Sequence, residues 1–375
     1  MDLKKLLQST SEKITAIIVG LFLYYGILIY PSLILSRYLG FPISDLLLDG
    51  TIYVIDIVFI ILFSSPILGQ YCYKKFKSTN SRKFLAITMT FAGFLFFICL
   101  PSLLLRITHA FVNFHDATLY HLSFYLLLIV STIALLGIIN ANLLFIKRIR
   151  ITDKRLKKHS TAVQLSDVHI GSRSHIFISR LIKRVNEINA DKVFITGDLV
   201  DLSSVDEEDL KILKKITAPV YFVVGNHDRY VSLDRLLPIL ERQGFTILRN
   251  ETLVLDDFDL SGIDDAESPK QVEKVLQTMT LNKDKYNILL YHRPQGFSAA
   301  ISKGVDLMLA GHTHNGQIFP FNLIVKRIFK NIKGSIKRGN AILHVSTGTS
   351  TWGPIMRIGS VNEVTLISFS PLSED

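Results

Sequence analysis

Five short blocks in the C-terminal half gather the residue types that bind divalent metal ions. They read D-V-H at 167–169, G-D-L-V-D at 197–201, G-N-H-D at 225–228, Y-H at 291–292 and G-H-T-H at 311–314. Together they supply Asp167, His169, Asp198, Asn226, His292, His312 and His314. Imidazole nitrogen mixed with carboxylate and amide oxygen suits Mn, Fe or Zn better than an all-oxygen Mg site. Two such ions held ~3.5–4 Å apart need a bridging anion, and a carboxylate with two oxygens supplies one. Asp198 is placed for that role. His312 and His314 are two apart, so on a strand-like segment they would point the same way, with Thr313 turned into the fold. A D-x-H taken alone is weak; the five blocks in order are a constellation.

The elements that must carry these blocks follow from hydrophobic periodicity. Strands are predicted at 161–165, 192–196, 220–224, 286–291, 305–309, 341–346 and 363–369. Helices are predicted at 177–189, 207–216, 233–243, 270–278 and 296–302. The alternation argues for an α/β layered domain. Nearly every strand of the first set runs into a loop rich in Asp, His, Asn or Gly, and ligand sites in open α/β sheets gather at the carboxyl ends of strands.

With these blocks in place, residues 161–375 resemble the calcineurin-like metallophosphoesterases. The run G-H-T-H-N-G-Q followed by I-F-P-F-N is similar to the bacterial membrane-associated group typified by the YkuE and YaeI proteins. The resemblance implies a four-layer αββα sandwich holding two divalent metal ions, Mn favoured. It assigns Asp167, His169 and His314 to one ion, Asn226, His292 and His312 to the other, and Asp198 to both. It further implies hydrolysis by in-line attack of a metal-bridging hydroxide, which needs no separate general base. His227 is the family's candidate proton donor to the leaving oxygen, and Asp228 is expected to orient its ring. Asp201 is read as closing its own turn, His175 as a surface histidine, and Asp264 and Asp265 as non-catalytic. Where many related sequences have Gly, this chain has Asn315; the metal site should tolerate it, with an extra side chain near the substrate mouth.

The N-terminal half is of another kind. Up to residue 160 there are 17 Lys and Arg against 7 Asp and Glu, and from 161 onward 25 against 25. The whole net charge of +10 therefore belongs to the first part. A neutral catalytic half argues against a nucleic-acid partner. Four apolar stretches, roughly 14–35, 51–71, 84–105 and 121–146, each reach the ~20 residues needed to cross a bilayer. Basic residues precede the first stretch, separate the second from the third and follow the fourth, which predicts both termini on the cytoplasmic side of a multi-pass membrane protein. No cleavable signal peptide is expected. The predicted organisation is a four-helix transmembrane domain at 1–146, a basic juxtamembrane linker at 147–160 and the phosphoesterase domain at 161–375. Asp56 within the second stretch is read as lying near the outer interface, and Cys72 and Cys99 as buried or lipid-facing.

Arg173 and Arg293 could each hold a phosphate oxygen, with surface salt-bridging as the alternative for both. The stretch 325–339 mixes Lys326, Arg327, Lys330, Lys333, Lys337 and Arg338 with apolar residues at roughly helical spacing. It reads either as an interfacial element on membrane lipid or as a solvated insertion. The expected substrate is a phosphodiester or pyrophosphate, lipid-linked first and a soluble nucleotide second. The competing class is a non-catalytic membrane scaffold or receptor that retains the fold.

Overall fold

The computed structural model describes residues 30–40, 54–266 and 268–372. The chain divides into two compact units, one of residues up to 75 with 87–136, the other of 76–86 with 137–375.

The first unit is helical. It holds α1 (Tyr30–Tyr38) and most of α2 (Val54–Phe76), α3 (Thr79–Val112) and α4 (Asp116–Asn140); Phe76, the start of α3 up to Ala86 and the last turn of α4 from Gly137 belong to the second unit. The predicted stretch at 14–35 lies outside the described residues up to residue 29, as does the side chain of Asp56. Among the described residues, α3 and α4 are long and apolar enough to cross a membrane, with mean hydropathies of 2.2 and 2.5 over their apolar windows. Leu35, Ile98 and Val130 form a small core, while Leu128, Ile129, Leu135 and Leu136 of α4 are exposed. A helix apolar on its exposed side suits hydrocarbon rather than water.

The second unit stacks two six-stranded sheets. The first sheet contains β1 (Phe145–Asp153), β2 (Ser160–Leu165), β3 (Lys192–Thr196), β4 (Val220–Val223) and β5 (Phe245–Ile247), closed by β12 (Glu363–Pro371). Its order is β1-β12-β2-β3-β4-β5. The second contains β6 (Glu251–Val254), β7 (Asp259–Ile263), β8 (Asn287–Tyr291), β9 (Leu307–Ala310), β10 (Gly334–Arg338) and β11 (Ala341–Val345), in the order β10-β11-β9-β8-β7-β6.

Period-two alternation sorts the side chains. Ala162, Phe194, Tyr221 and Val223 face the second sheet and pack with Phe258, Leu260, Ile288 and Leu290. Val163, Ile195 and Phe222 face outward, under α5 (His175–Ile188), α6 (Glu207–Leu210) and α7 (Leu233–Arg242). On the far side, Leu289 and Met308 lie under α8 (Gln271–Thr278) and α9 (Phe297–Lys303). The layers are helix, sheet, sheet, helix.

The unit begins earlier than the sequence suggests. The expected linker at 147–160 supplies most of β1, which pairs in parallel with β12. Ile149 and Ile151 are buried opposite Ile367 and Phe369, while Arg148 and Arg150 remain exposed. The basic residues are the solvated face of an edge strand, the usual protection of such an edge. The predicted fourth stretch also ends sooner, at Asn140 rather than 146.

Candidate metal centre

β2, β3 and β4 run parallel in one sheet, and β8 and β9 run parallel in the other. Their carboxyl ends deliver the five blocks. Gln164 joins the sheets just beneath them, its amide donating to Thr196 Oγ1 and to the Ala310 carbonyl, each at 3.0 Å.

The side chains form two clusters. In one, His314 Nε2 lies 3.1 Å from His169 Nε2 and 3.3 Å from Asp167 Oδ1. In the other, His292 Nε2 lies 3.1 Å from both Asp198 Oδ2 and His312 Nδ1. Asp198 also groups with His169 and His227, so it stands between the clusters. Asn226 Oδ1 is buried with no hydrogen-bond partner among the described residues. A buried amide oxygen left unsatisfied is costly, and here it accompanies four imidazoles and two carboxylates. These residues fit a pair of divalent cations.

Local backbone geometry is bent to achieve this. Asp167, His169, Asp198, His312 and His314 all have positive φ, between 48° and 70°. Left-handed backbone is disfavoured for such residues and clusters where function demands it. His312 and His314 accordingly do not share a strand-like segment; His314 opens a 3-10 turn, and the two histidines serve different clusters. Thr313 turns into the fold, donating to the Ile332 carbonyl at 2.6 Å. Gly225 is required for space: a Cβ there would lie 2.3 Å from Asp198 Oδ1. Gly311 is likewise pressed against Asp167 Oδ2, 2.4 Å from where its Cβ would be.

The outer hydrogen bonds orient the rings. His292 Nδ1 meets the Thr196 carbonyl at 2.8 Å, which leaves Nε2 as the inward-facing donor atom. Burial alone would depress His292, but Asp198 and Asp167 together raise its pKa to about 10. Burial, with the cations His292 and Arg293 behind it, pushes His312 down to about 3. The two touching imidazoles are shifted in opposite directions because the carboxylates act most strongly on His292, while burial and neighbouring cations dominate at His312. Arg357 was not singled out from sequence. It is fully buried, donates to the carbonyls of Thr347 and Ser350 and to Ser360 Oγ, and brings Nη2 within 3.4 Å of His314 Nδ1.

Two residues exchange expected roles. Asp228 does not touch the His227 ring; its carboxylate accepts from the amides of Asp198, Gly225 and Val200 at 2.9, 2.8 and 3.0 Å. It ties together the loops that carry Asp198 and Asn226, and burial with the charge of Asp198 pushes its pKa up to about 7. Asp201 does the orienting. Its Oδ1 lies 2.6 Å from His227 Nδ1 and 3.5 Å from His169 Nδ1, and Ser172 Oγ donates to Oδ2. Burial opposes its ionisation, but His169 and His227 hold it well below the usual carboxylate range. The G-D-L-V-D block contained the signal; only its distance to a histidine in another loop was out of sight.

Three residues expected near substrate are placed as follows. Arg173 is buried, donating to the Ala141 carbonyl at 2.9 Å and to Asn142 Oδ1 at 3.1 Å, with its guanidinium 3.9 Å over the Phe177 ring. It is spent on the Ala141 carbonyl just past the end of α4 and on the Asn142 side chain, and is not available to a phosphate. Asn315 is also buried, its amide donating to the Gly359 carbonyl at 3.2 Å, so no side chain narrows the mouth there. Arg293 stays beside the centre, with Nε held 2.8 Å from Asp265 Oδ2. Of the others, His175 is exposed and touches Asp209, and Asp264 pairs with Arg249. Aromatic residues rim the mouth: Tyr230 and Trp352 meet the His227 ring edge-on at 4.7 and 5.9 Å, and Phe329 meets His312 at 5.2 Å.

Stacked sheets whose parallel strands end in two candidate ligand clusters joined by one aspartate define a layered α/β protein with the side chains for a metal pair. Residues 160–316 match the family model for calcineurin-like phosphoesterases. A metallophosphoesterase of Aquifex aeolicus is 33% identical over 216 residues, covering 54% of this chain and 82% of that protein. One of Helicobacter pylori is 33% identical over 233 residues, 59% of this chain, and the match spans 62% of that relative's length. A Danio rerio transmembrane protein with metallophosphoesterase domain is 32% identical over 232 residues, 55% of this chain and 52% of its own. The chain belongs to the calcineurin-like phosphoesterase family.

Proposed function

We propose that this protein is a membrane-anchored, two-metal phosphohydrolase that cleaves a phosphodiester or pyrophosphate, with a lipid-linked substrate favoured. The observation that carries the reading is the pair of ligand clusters meeting at Asp198, with His227 beside them. When bound, a metal pair (Mn favoured over Fe or Zn) neutralises charge on the phosphoryl oxygens and lowers the pKa of water. Asp167, His169 and His314 would hold one ion, Asn226, His292 and His312 the other, and Asp198 both. With Nδ1 engaged by Asp201, His227 can present its other ring nitrogen as proton donor to the leaving oxygen. Tyr230 and Trp352 shield that ring edge-on. Arg293, whose charge is felt at His312, is the cation proposed to hold a phosphate oxygen.

The lipid-linked part draws support from the apolar helices of the same chain. The proposed topology has four spans with the catalytic unit cytoplasmic; the basic flanks of the predicted spans support it. Full-length protein loaded with Mn is expected to turn over a nucleoside-diphosphate lipid in mixed micelles with a higher kcat/KM than the matching free nucleotide. Chelation should abolish both activities and added Mn restore them. Equal or reversed preference would remove the lipid assignment, and bound metal without any turnover would favour a scaffold.

A further inference from the structure

Helix α10 (Phe321–Ile328) wears its apolar side outward. Only Val325 is buried, while Phe321, Ile324 and Ile328, at spacings of three and four on one face, are 40%, 52% and 65% exposed. Phe319 just before the helix and Trp352, whose backbone amide donates to Gln317 Oε1 at 2.9 Å, are 45% and 50% exposed. A monomeric surface in water rarely keeps such a contiguous apolar face, and one rimmed by polar groups marks an interaction site.

Two further observations say what covers it. The surrounding charge is of one sign: Lys326, Arg327, Lys330 and Lys333 are all exposed, and no acidic residue occurs between Asp306 and Glu363. The face also lies where the apolar helix α4 ends. Phe319 N donates to the Ile358 carbonyl at 2.9 Å, and a Cβ at Gly137, in the last turn of α4, would lie 2.8 Å from Ile358 Cγ1. The same turn is tied to this loop, since Arg357 N donates to the Gly137 carbonyl and the Asn140 amide donates to the Arg357 and Ser360 carbonyls. A chain that leaves a bilayer at Gly137–Asn140 leaves it beside Phe319.

We propose that Phe319, the outer face of α10 and Trp352 form a docking surface for an anionic phospholipid bilayer, which seats the mouth of the metal centre against the lipid headgroups. Apolar side chains enter the headgroup boundary and the lysines and arginines meet anionic lipid, the arrangement of an interfacial helix. The consequence for catalysis rests on the phosphoesterase reading above: substrate would reach the centre from the membrane plane rather than from solution.

Trp352 is the sole tryptophan of the chain, so its fluorescence reports this surface alone. Full-length protein is reconstituted in phosphatidylglycerol–phosphatidylcholine vesicles with plain or brominated acyl chains. Docking predicts that Trp352 loses most of its emission in the brominated vesicles. The loss should shrink in pure phosphatidylcholine, and again in the doubly substituted Ile324→Asp, Ile328→Asp chain; both residues are more than half exposed, so the fold should tolerate the change. Equal emission in brominated and plain vesicles overturns the proposal. Bromine-insensitive emission with cross-linked pairs of chains would assign the face to a second copy and overturn it too. The same vesicles are given a soluble chromogenic phosphodiester: hydrolysis without quenching sinks the docking alone, whereas quenching without hydrolysis sinks the phosphoesterase reading and leaves the docking standing.

Discussion

Asp198→Ala is expected to lower kcat on a soluble phosphodiester by roughly 10^3-fold or more, the scale of several kcal/mol that metal-based charge stabilisation supplies. Among the described residues no other side chain is so placed. Its Oδ1 accepts from the His227 amide at 2.8 Å, its Oδ2 lies 3.1 Å from His292 Nε2, and its own amide is held by Asp228 at 2.9 Å. Alanine removes the carboxylate that, among the described residues, alone groups with ligands of both clusters. Asp198→Asn preserves shape and most hydrogen bonding while deleting charge, so it separates metal holding from folding. A steady-state assay of wild type and both variants, with thermal transitions as the folding control, reads this out. An asparagine variant with near wild-type kcat would contradict the assignment.

The second large effect concerns proton delivery. His227→Ala should cost about 10^2- to 10^4-fold in kcat, the range of general acid catalysis, on an ester with a poor leaving group. On a nitrophenyl ester, whose leaving group needs little protonation, the loss should be much smaller. Asp201→Asn should reproduce the pattern, because Asp201 Oδ1 is the atom that meets His227 Nδ1 at 2.6 Å. Asp228→Asn should not: its oxygens serve three backbone amides, so its loss should act on stability and on both esters alike. Equal losses on good and poor leaving groups for His227→Ala would remove the proton-donor role.

Much of the catalytic unit is legible in its sequence because its strands are short apolar runs that end in polar blocks. The run 192–196 coincides with β3, and 161–165 differs from β2 by one residue. The strands whose signal is weak or absent have physical reasons. β7 reads D-L-S-G-I, an unpromising strand by composition, yet all five residues are buried. Its Gly262 is where the sheets close in, a Cβ there falling 2.3 Å from Leu248 Cβ. β1 alternates isoleucine with arginine, but its charge reads equally well as a membrane flank, and only pairing with β12, more than 200 residues away, decides between them.

The site shows the same division. Residue types and order point to the ligands, because metal binding restricts chemistry tightly. Their partners are another matter. Asp201 and Asp228 are both aspartates close to ligand blocks, and nothing in either block says which one reaches the His227 ring. Arg173 carries a charge fit for phosphate but is spent on the end of α4. Arg357 and Trp352 belong to no block, and their proximity to His314 and His227 is purely a product of the fold.

The central claim is a metal pair held by seven side chains, Asp198 and the six around it. The direct measurement is an anomalous-difference map, recorded at the Mn edge, from crystals of the full-length protein grown with Mn. The account predicts two peaks per chain, one among Asp167, His169 and His314, the other among Asn226, His292 and His312, with Asp198 reaching both. A single peak at saturating Mn, or peaks away from these residues, would contradict it.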